Sequence, residues 1–342
     1  MPTSTSRRRR IALTTFLAGA VVTVSACSSS DEGPTSPSGT STVRIALTTG
    51  TTSAEIADAE GYFAEHGLNV EIIPLATGTE TLAAVQGGSA DVAYADTFAA
   101  VNAIDNGFDI DLVAGANYTS PAMSYLVRDD SDIREPADLA GKNLGIGGVP
   151  FFRVFANGFL SANSLSTDAV NVTIVRQSNA LPEALANGSV DAIQSLGYQV
   201  AYQNDGQGHR FRSVGDPDTS AFQNPNAMQA GWWTSGTWAE KNAETADKFA
   251  DAYRAFATWY NGLDANARAE LAVQYNDIDY KELAAGDPTK LDNLAFYTVA
   301  RYIDGPVDVD ATQDWIEKGH TAAPDQVPDG VSIAEHMSPS VS

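Results

Sequence analysis

The feature that most restricts the fold is a pair of corresponding eight-residue segments 100 residues apart, alike in a Gly-Ser-x-Asp core between apolar residues: Val85-Gln86-Gly87-Gly88-Ser89-Ala90-Asp91-Val92 and Leu185-Ala186-Asn187-Gly188-Ser189-Val190-Asp191-Ala192. In each copy a helical pattern stops at glycine and a short turn feeds a β-rich run. The elements around the two copies follow one order. In the first pass, residues 43–47 read as a strand, the hydroxyl-rich turn Thr48-Thr49-Gly50-Thr51-Thr52-Ser53 follows, and Ile56, Ala59, Tyr62 and Phe63 share one face of a helix that ends at His66-Gly67. A strand over 69–74, a helix opened by Thr77 to Thr81 and closed by Gly87-Gly88, a strand over 91–95 and a helix starting at Asp96-Thr97 complete it. The second pass runs strand 143–147, helix 151–162, strand 171–175 and helix 181–186. Strands alternating with helices imply a mostly parallel sheet covered on both faces, and a repeated unit implies two related α/β lobes. Beyond Trp238 the chain reads as mostly helical, and Phe249, Tyr253, Phe256 and Tyr260 form a stripe best suited to core packing.

The amino-terminal end reads differently. Arg7 to Arg10 precede an uncharged run, 11–26, that is too short and too lightly apolar for a membrane span and suits a secretory signal. Val24-Ser25-Ala26-Cys27 resembles a bacterial lipobox, in which the cysteine is acylated after cleavage; the plainer reading is cleavage near Ala26 that leaves Cys27 as a free terminal thiol. Cys27 is the only cysteine, so a disulfide within one chain is excluded. Residues 27–41, rich in Ser, Gly, Pro and Thr, read as a flexible tether to a body that begins near Thr42. Loss of residues 1–26 removes four of the 20 basic residues and none of the 43 acidic ones, which leaves a net charge of −27. That balance excludes a nucleic-acid partner, because phosphate backbones need a basic face.

The ordered series formed by residues 57–71, Gly88-Ser89-Ala90-Asp91-Val92-Ala93-Tyr94, Ile133 to Lys142 and 184–192 resembles the nitrate/sulfonate/taurine family of ABC-transporter solute-binding lipoproteins, which includes binders of thiamine pyrimidine precursors. The resemblance spans roughly residues 42–260. It implies a type II periplasmic-binding fold with lobe 1 built from 42–124 and 234–342, lobe 2 from 125–233, and two hinge crossovers, near Tyr125 to Arg128 and near Gln229 to Trp233. It also implies a small-molecule solute, a membrane permease with its ATPase as partner, attachment to the extracytoplasmic face of the cell membrane through the lipid on Cys27, and a monomer.

In open α/β sheets, ligands bind beyond the carboxyl ends of strands, where helix starts expose N–H groups. The first-lobe candidates are Thr49, Thr51, Thr52, Thr79, Glu80, Asp96 and Thr97, each of which also suits a simple helix cap. The second lobe offers Phe151, Phe152 and Arg153 after Gly147-Gly148-Val149-Pro150. Relatives resemble one another in placing small hydroxyl residues at this turn and a tryptophan and an acidic residue after the strand matching Ala192-Ile193. Here the latter stretch reads Gln194-Ser195-Leu196-Gly197-Tyr198, with Ser195 and Tyr198 as candidates. Arg153 suits a bidentate clamp on a carboxylate or sulfonate, or equally a solvated helix face. Trp232 and Trp233 fall on a strand, so one can line the cleft while its neighbour packs inside. With Tyr94, Phe151, Phe152 and Tyr198, one of them is expected to sandwich a flat ring; core packing is the competing role. The expected ligand is a small organic solute with a planar or apolar body and a polar or anionic end: a sulfonate, a pyrimidine precursor or an aromatic acid.

An enzyme fits less well. His66, His209, His320 and His336 are scattered, no metal-ligand or nucleophile motif occurs, and Gly145-Ile146-Gly147-Gly148 lacks the third glycine of a dinucleotide turn. No cofactor and no metal are expected. A sensing or surface lipoprotein of the same fold, without transport, is the closer rival.

Overall fold

Apolar β-rich runs and glycine-stopped helices assemble as their patterns require in the computed structural model, which describes residues 40–119, 123–175, 180–196, 211–214, 224–276, 278–297 and 301–341. The signal segment, Cys27, most of the tether and Tyr198 lie outside the described residues. The first sheet contains β1 (Ser41–Thr48), β2 (Leu68–Leu75), β3 (Val92–Asp96), β4 (Ile110–Tyr118) and β10 (Met228–Ser235), in the order β2-β1-β3-β10-β4. The second contains β5 (Met123–Arg128), β6 (Asn143–Gly147), β7 (Asn171–Val175), β8 (Ala192–Leu196) and β9 (Phe211–Ser213), in the order β7-β6-β8-β5-β9. In each five-stranded sheet four strands run one way and a single strand runs against its neighbours: β10 against β3 and β4, and β5 against β8 and β9. The architecture is a pair of mixed-sheet α/β lobes, the periplasmic-binding-protein fold.

The repeated segment does the same work in both lobes. Gly88 and Gly188 both take positive φ, +71° and +78°, after helices Gly78–Gln86 and Leu181–Ala186. Ser89 N–H then donates to Ala84 C=O and Ser189 N–H to Ala184 C=O, both at 2.9 Å. The aspartate that follows clamps the neighbouring strand: Asp91 Oδ2 accepts from Arg44 N–H, and Asp191 Oδ2 from Asn143 N–H, at 2.8 Å each.

Two crossover positions need correction. Tyr125 to Arg128 lies within β5, and Gln229 to Trp233 within β10, which pairs with β3 and β4 of the first sheet. Both stretches are apolar enough to be covered on two faces, so each becomes the antiparallel strand of the sheet that the chain has just entered. The changes of sheet fall between residues 118 and 123 and between 213 and 228. Strand β4, whose Ile110, Leu112, Val113 and Ala114 are buried, has no counterpart among the sequence expectations.

One apolar cluster belongs to the first lobe alone: Val43, Ile45, Phe63, Trp232, Phe249, Tyr253 and Phe256, beneath helices Ser53–Ala59 and Ala243–Asn261. A second is continuous from Leu82, Phe98 and Trp233 through Trp315 to Tyr125, Phe151 and Phe155. The lobes therefore share a seam, built around helix Val309–Ala322.

Candidate functional site

Parallel strands place their carboxyl ends along one edge of a sheet, and in the first lobe that edge gathers three of the expected turns. Thr49 N–H and Thr49 Oγ1 both donate to Leu75 C=O, at 2.9 and 3.1 Å, joining the hydroxyl turn to the end of β2. Thr51 N–H donates to Thr48 C=O at 2.9 Å, and the Thr48 and Thr51 hydroxyls lie 2.8 Å apart. Thr52 stands before helix Ser53–Ala59 without a side-chain cap bond. The helix that carries Thr79 and Glu80 approaches closely: a Cβ at Gly78 would sit 3.6 Å from Asp96 Oδ2, and Thr81 Oγ1 donates to Tyr94 C=O at 2.7 Å.

Several candidates are committed elsewhere. Glu80 accepts from Ala76 N–H at 2.9 Å while its own N–H donates to Thr77 Oγ1, a local cap that leaves the carboxylate on the surface. Thr97 is buried and donates to Met228 C=O at 2.6 Å. Trp232 and Trp233 point to opposite faces of β10, yet both are 0% exposed, so neither lines a cleft. Trp232 packs edge-on to Tyr94, Phe249 and Tyr253, and Trp233 Nε1 donates to Ala95 C=O at 3.3 Å. Phe151 and Phe152 are likewise buried, and Phe152 fills the space that a side chain at Gly147 would need. Ser195 is buried on β8. The expected aromatic sandwich is thus mostly core.

What stays open at the strand tips is polar. Asp96 ends β3, caps helix Thr97–Asp105 through Ala99 N–H at 3.0 Å and remains partly exposed. Burial pushes its carboxyl up to about 6, against the backbone N–H groups of Ala99 and Phe98, which pull it down. Arg153, in the first turns of helix Pro150–Ala162, is partly exposed and has no ion pair among the described residues. Pro150 supplies no N–H at that helix start, and Phe152 N–H is taken by Val149 C=O. Three residues absent from the sequence candidates join the first-lobe edge. Asn117 accepts from the Tyr94 hydroxyl at 2.9 Å, and Arg301 lies with its Cζ 4.3 Å from the Tyr118 ring centroid at the end of β4. Arg301 is exposed and also lacks an ion pair among the described residues. No local pattern announces it, because the contact joins residues 183 positions apart.

The raised Asp96 carboxyl has a testable consequence. A group that binds protons more readily folded than unfolded favours the fold at low pH, and that contribution is lost as pH rises through about 6. Asp96→Asn keeps a competent cap. Relative to wild type, the variant should gain about 2–3 kcal/mol between about pH 4 and pH 7, read from urea unfolding. A difference that is flat with pH would contradict the assignment.

Among the described residues, no group of three or more His, Cys, Asp or Glu side chains is arranged to hold a metal, and no helix is long and apolar enough to cross a membrane.

The family model described as NMT1/THI5 like matches residues 49–261. No curated protein matches the chain. Solved structures do. The periplasmic aliphatic sulphonate binding protein SsuA of Escherichia coli aligns with a TM-score of 0.65 and 17% identity over 89% of this chain and 99% of its own. The alkanesulfonate-binding protein SsuA of Xanthomonas axonopodis pv. citri, bound to MOPS, gives 0.62 and 18% over 88% and 99%. A chain from Methylobacillus flagellatus KT, described as a periplasmic sulfonate-binding protein SsuA, gives 0.66 and 19% over 88% and 92%. At these identities the likeness shows the fold.

Proposed function

We propose, from the premise that this chain belongs to the NMT1/THI5-like family, that it is an extracytoplasmic solute-binding lipoprotein of an ABC importer. It captures a small organic solute with a planar or apolar body and a polar or anionic end, delivers it to a permease with its ATPase, and is held at the membrane by lipid on Cys27 as a monomer. The observation that carries this reading is the polar edge of the first sheet, where the turn 48–53, Asp96 and Arg301 on Tyr118 lie along the carboxyl ends of β1, β3 and β4. Sulfonate-binding structures with the same fold support a solute of this size. Two guanidiniums without ion pairs among the described residues, Arg153 on the second lobe and Arg301 on the first, support an anionic end. The Tyr118 face, rather than the buried tryptophans, supports a flat body.

The test is a thermal-shift screen of alkanesulfonates including MOPS, pyrimidines and aromatic carboxylates, since a ligand held only by the folded form must raise the melting temperature. One class should shift it by several degrees, and Arg153→Ala should weaken that solute roughly tenfold or more. No response from any class at millimolar concentration would sink the reading. Full affinity in Arg153→Ala would remove the clamp alone.

A further inference from the structure

Helix Val309–Ala322 touches both lobes and the segment that joins them. On the first lobe, the Trp315 ring centroid lies 4.3 Å from that of Phe98, and Gly319 makes room for it: a Cβ there would meet Phe98 Cε1 at 2.5 Å. Asn102 Nδ2 donates to Gln326 C=O at 2.5 Å, and farther along Ser338 N–H donates to Leu112 C=O at 2.9 Å, so the carboxyl-terminal segment is carried by this lobe. The helix also grips the return crossover, where Met228 N–H donates to Thr312 Oγ1 at 3.1 Å and Asn224 Nδ2 to Asp314 Oδ2 at 2.8 Å. Its bond to the second lobe is different. Asn157, in the middle of helix Pro150–Ala162, donates through Nδ2 to Ala322 C=O at 2.8 Å. Asn157 is 7% exposed, yet among the described residues its Oδ1 has no partner, and neither has Trp315 Nε1 in the same seam.

We infer that helix Val309–Ala322 is a latch, carried by the first lobe and fastened to the second through Asn157, whose release sets how readily the solute cleft opens. The inference rests on the solute-binding reading above. Lobes that pivot about two crossovers must slide helix Pro150–Ala162 against whatever bridges them, and helix Val309–Ala322 bridges them beside the direct contact with helix Thr97–Asp105. A seam with every polar group paired would resist that slip. One with an orphaned acceptor and an orphaned donor gains something on opening, because water or a new backbone partner then satisfies both. Two arrangements close in free energy are what a capture protein needs, since the solute can then decide between them.

The test uses the full chain with Cys27→Ser, in detergent, with spin labels at the exposed positions Asn106→Cys on the first lobe and Thr173→Cys on the second, and inter-label distances from pulsed electron paramagnetic resonance. Asn157→Ala should raise the ratio of wider to narrower separations about fivefold with the circular dichroism spectrum unchanged. Should that variant fail to fold, Gly319→Ala, which forces the helix off Phe98, reads the same coupling from the other side and should move the distribution in the same direction. Identical distance distributions in the parent and the folded variants overturn the latch. If the parent still responds to a solute in the thermal screen, the solute-binding reading survives that result; if it responds to none, that reading falls whatever the distances show.

Discussion

Replacing Trp232 with alanine should destabilise the protein by about 3–5 kcal/mol, the range for removal of a large aromatic from a core. The side chain is fully enclosed, with ring centroids of Tyr94, Phe249 and Tyr253 at 5.4, 5.4 and 5.0 Å, all in edge-on geometry. Its position on β10 lets it join the sheet to helix Ala243–Asn261, so the cavity would open where two layers meet and could collapse only by moving the helix. The melting temperature should fall on the order of 10 °C. Trp232→Phe keeps the edge-on contacts and should lose far less. The opposite result, an unchanged melting temperature with lost solute binding, would return Trp232 to the cleft wall and overturn its placement.

Trp232 also shows where reading by pattern stops. Alternation along a strand states that Trp232 and Trp233 face opposite ways, and they do. It does not state what covers each face. Helix Ala243–Asn261 covers one, while the group around Leu82, Phe98 and Trp315 covers the other, so both indoles are core. The antiparallel roles of β5 and β10 were hidden for a related reason: an apolar run suits a crossover or a buried strand equally until its neighbours are known. Elements set by local signals were legible to within a residue or two, as with β2 at 68–75, helix Pro150–Ala162 and β7 at 171–175. At the candidate site, the threonines and acids at helix starts fall along the carboxyl-end edge of the first sheet. Their division between caps and open groups depended on single bonds, such as that from Ala76 N–H to Glu80. Arg301 on Tyr118, and Asn157 against Ala322, join distant stretches of chain and leave no periodic trace.

The repeated segment leads to a second large effect, with an internal control. Asp91→Ala should destabilise the first lobe by about 2–4 kcal/mol, whereas Asp191→Ala at the matching position should cost about 1–2 kcal/mol. Asp91 is nearly buried and accepts three bonds from one residue: Arg44 N–H at 2.8 Å, Nε at 3.0 Å and Nη2 at 2.7 Å. The Arg44 guanidinium is partly exposed and can turn to water, but its backbone N–H lies inside the sheet beside β3 and would lose its partner there. Among the described residues Asp191 accepts only from Asn143, through N–H and Nδ2, at an exposed strand start where water can replace both bonds. Urea unfolding of the two variants tests the ordering. Equal losses would mean that the backbone bond common to both lobes carries the whole effect and the Arg44 pair carries none, as many exposed ion pairs do. A larger loss at Asp191 would show that the second lobe depends on its clamp more than the burial of the two carboxylates allows.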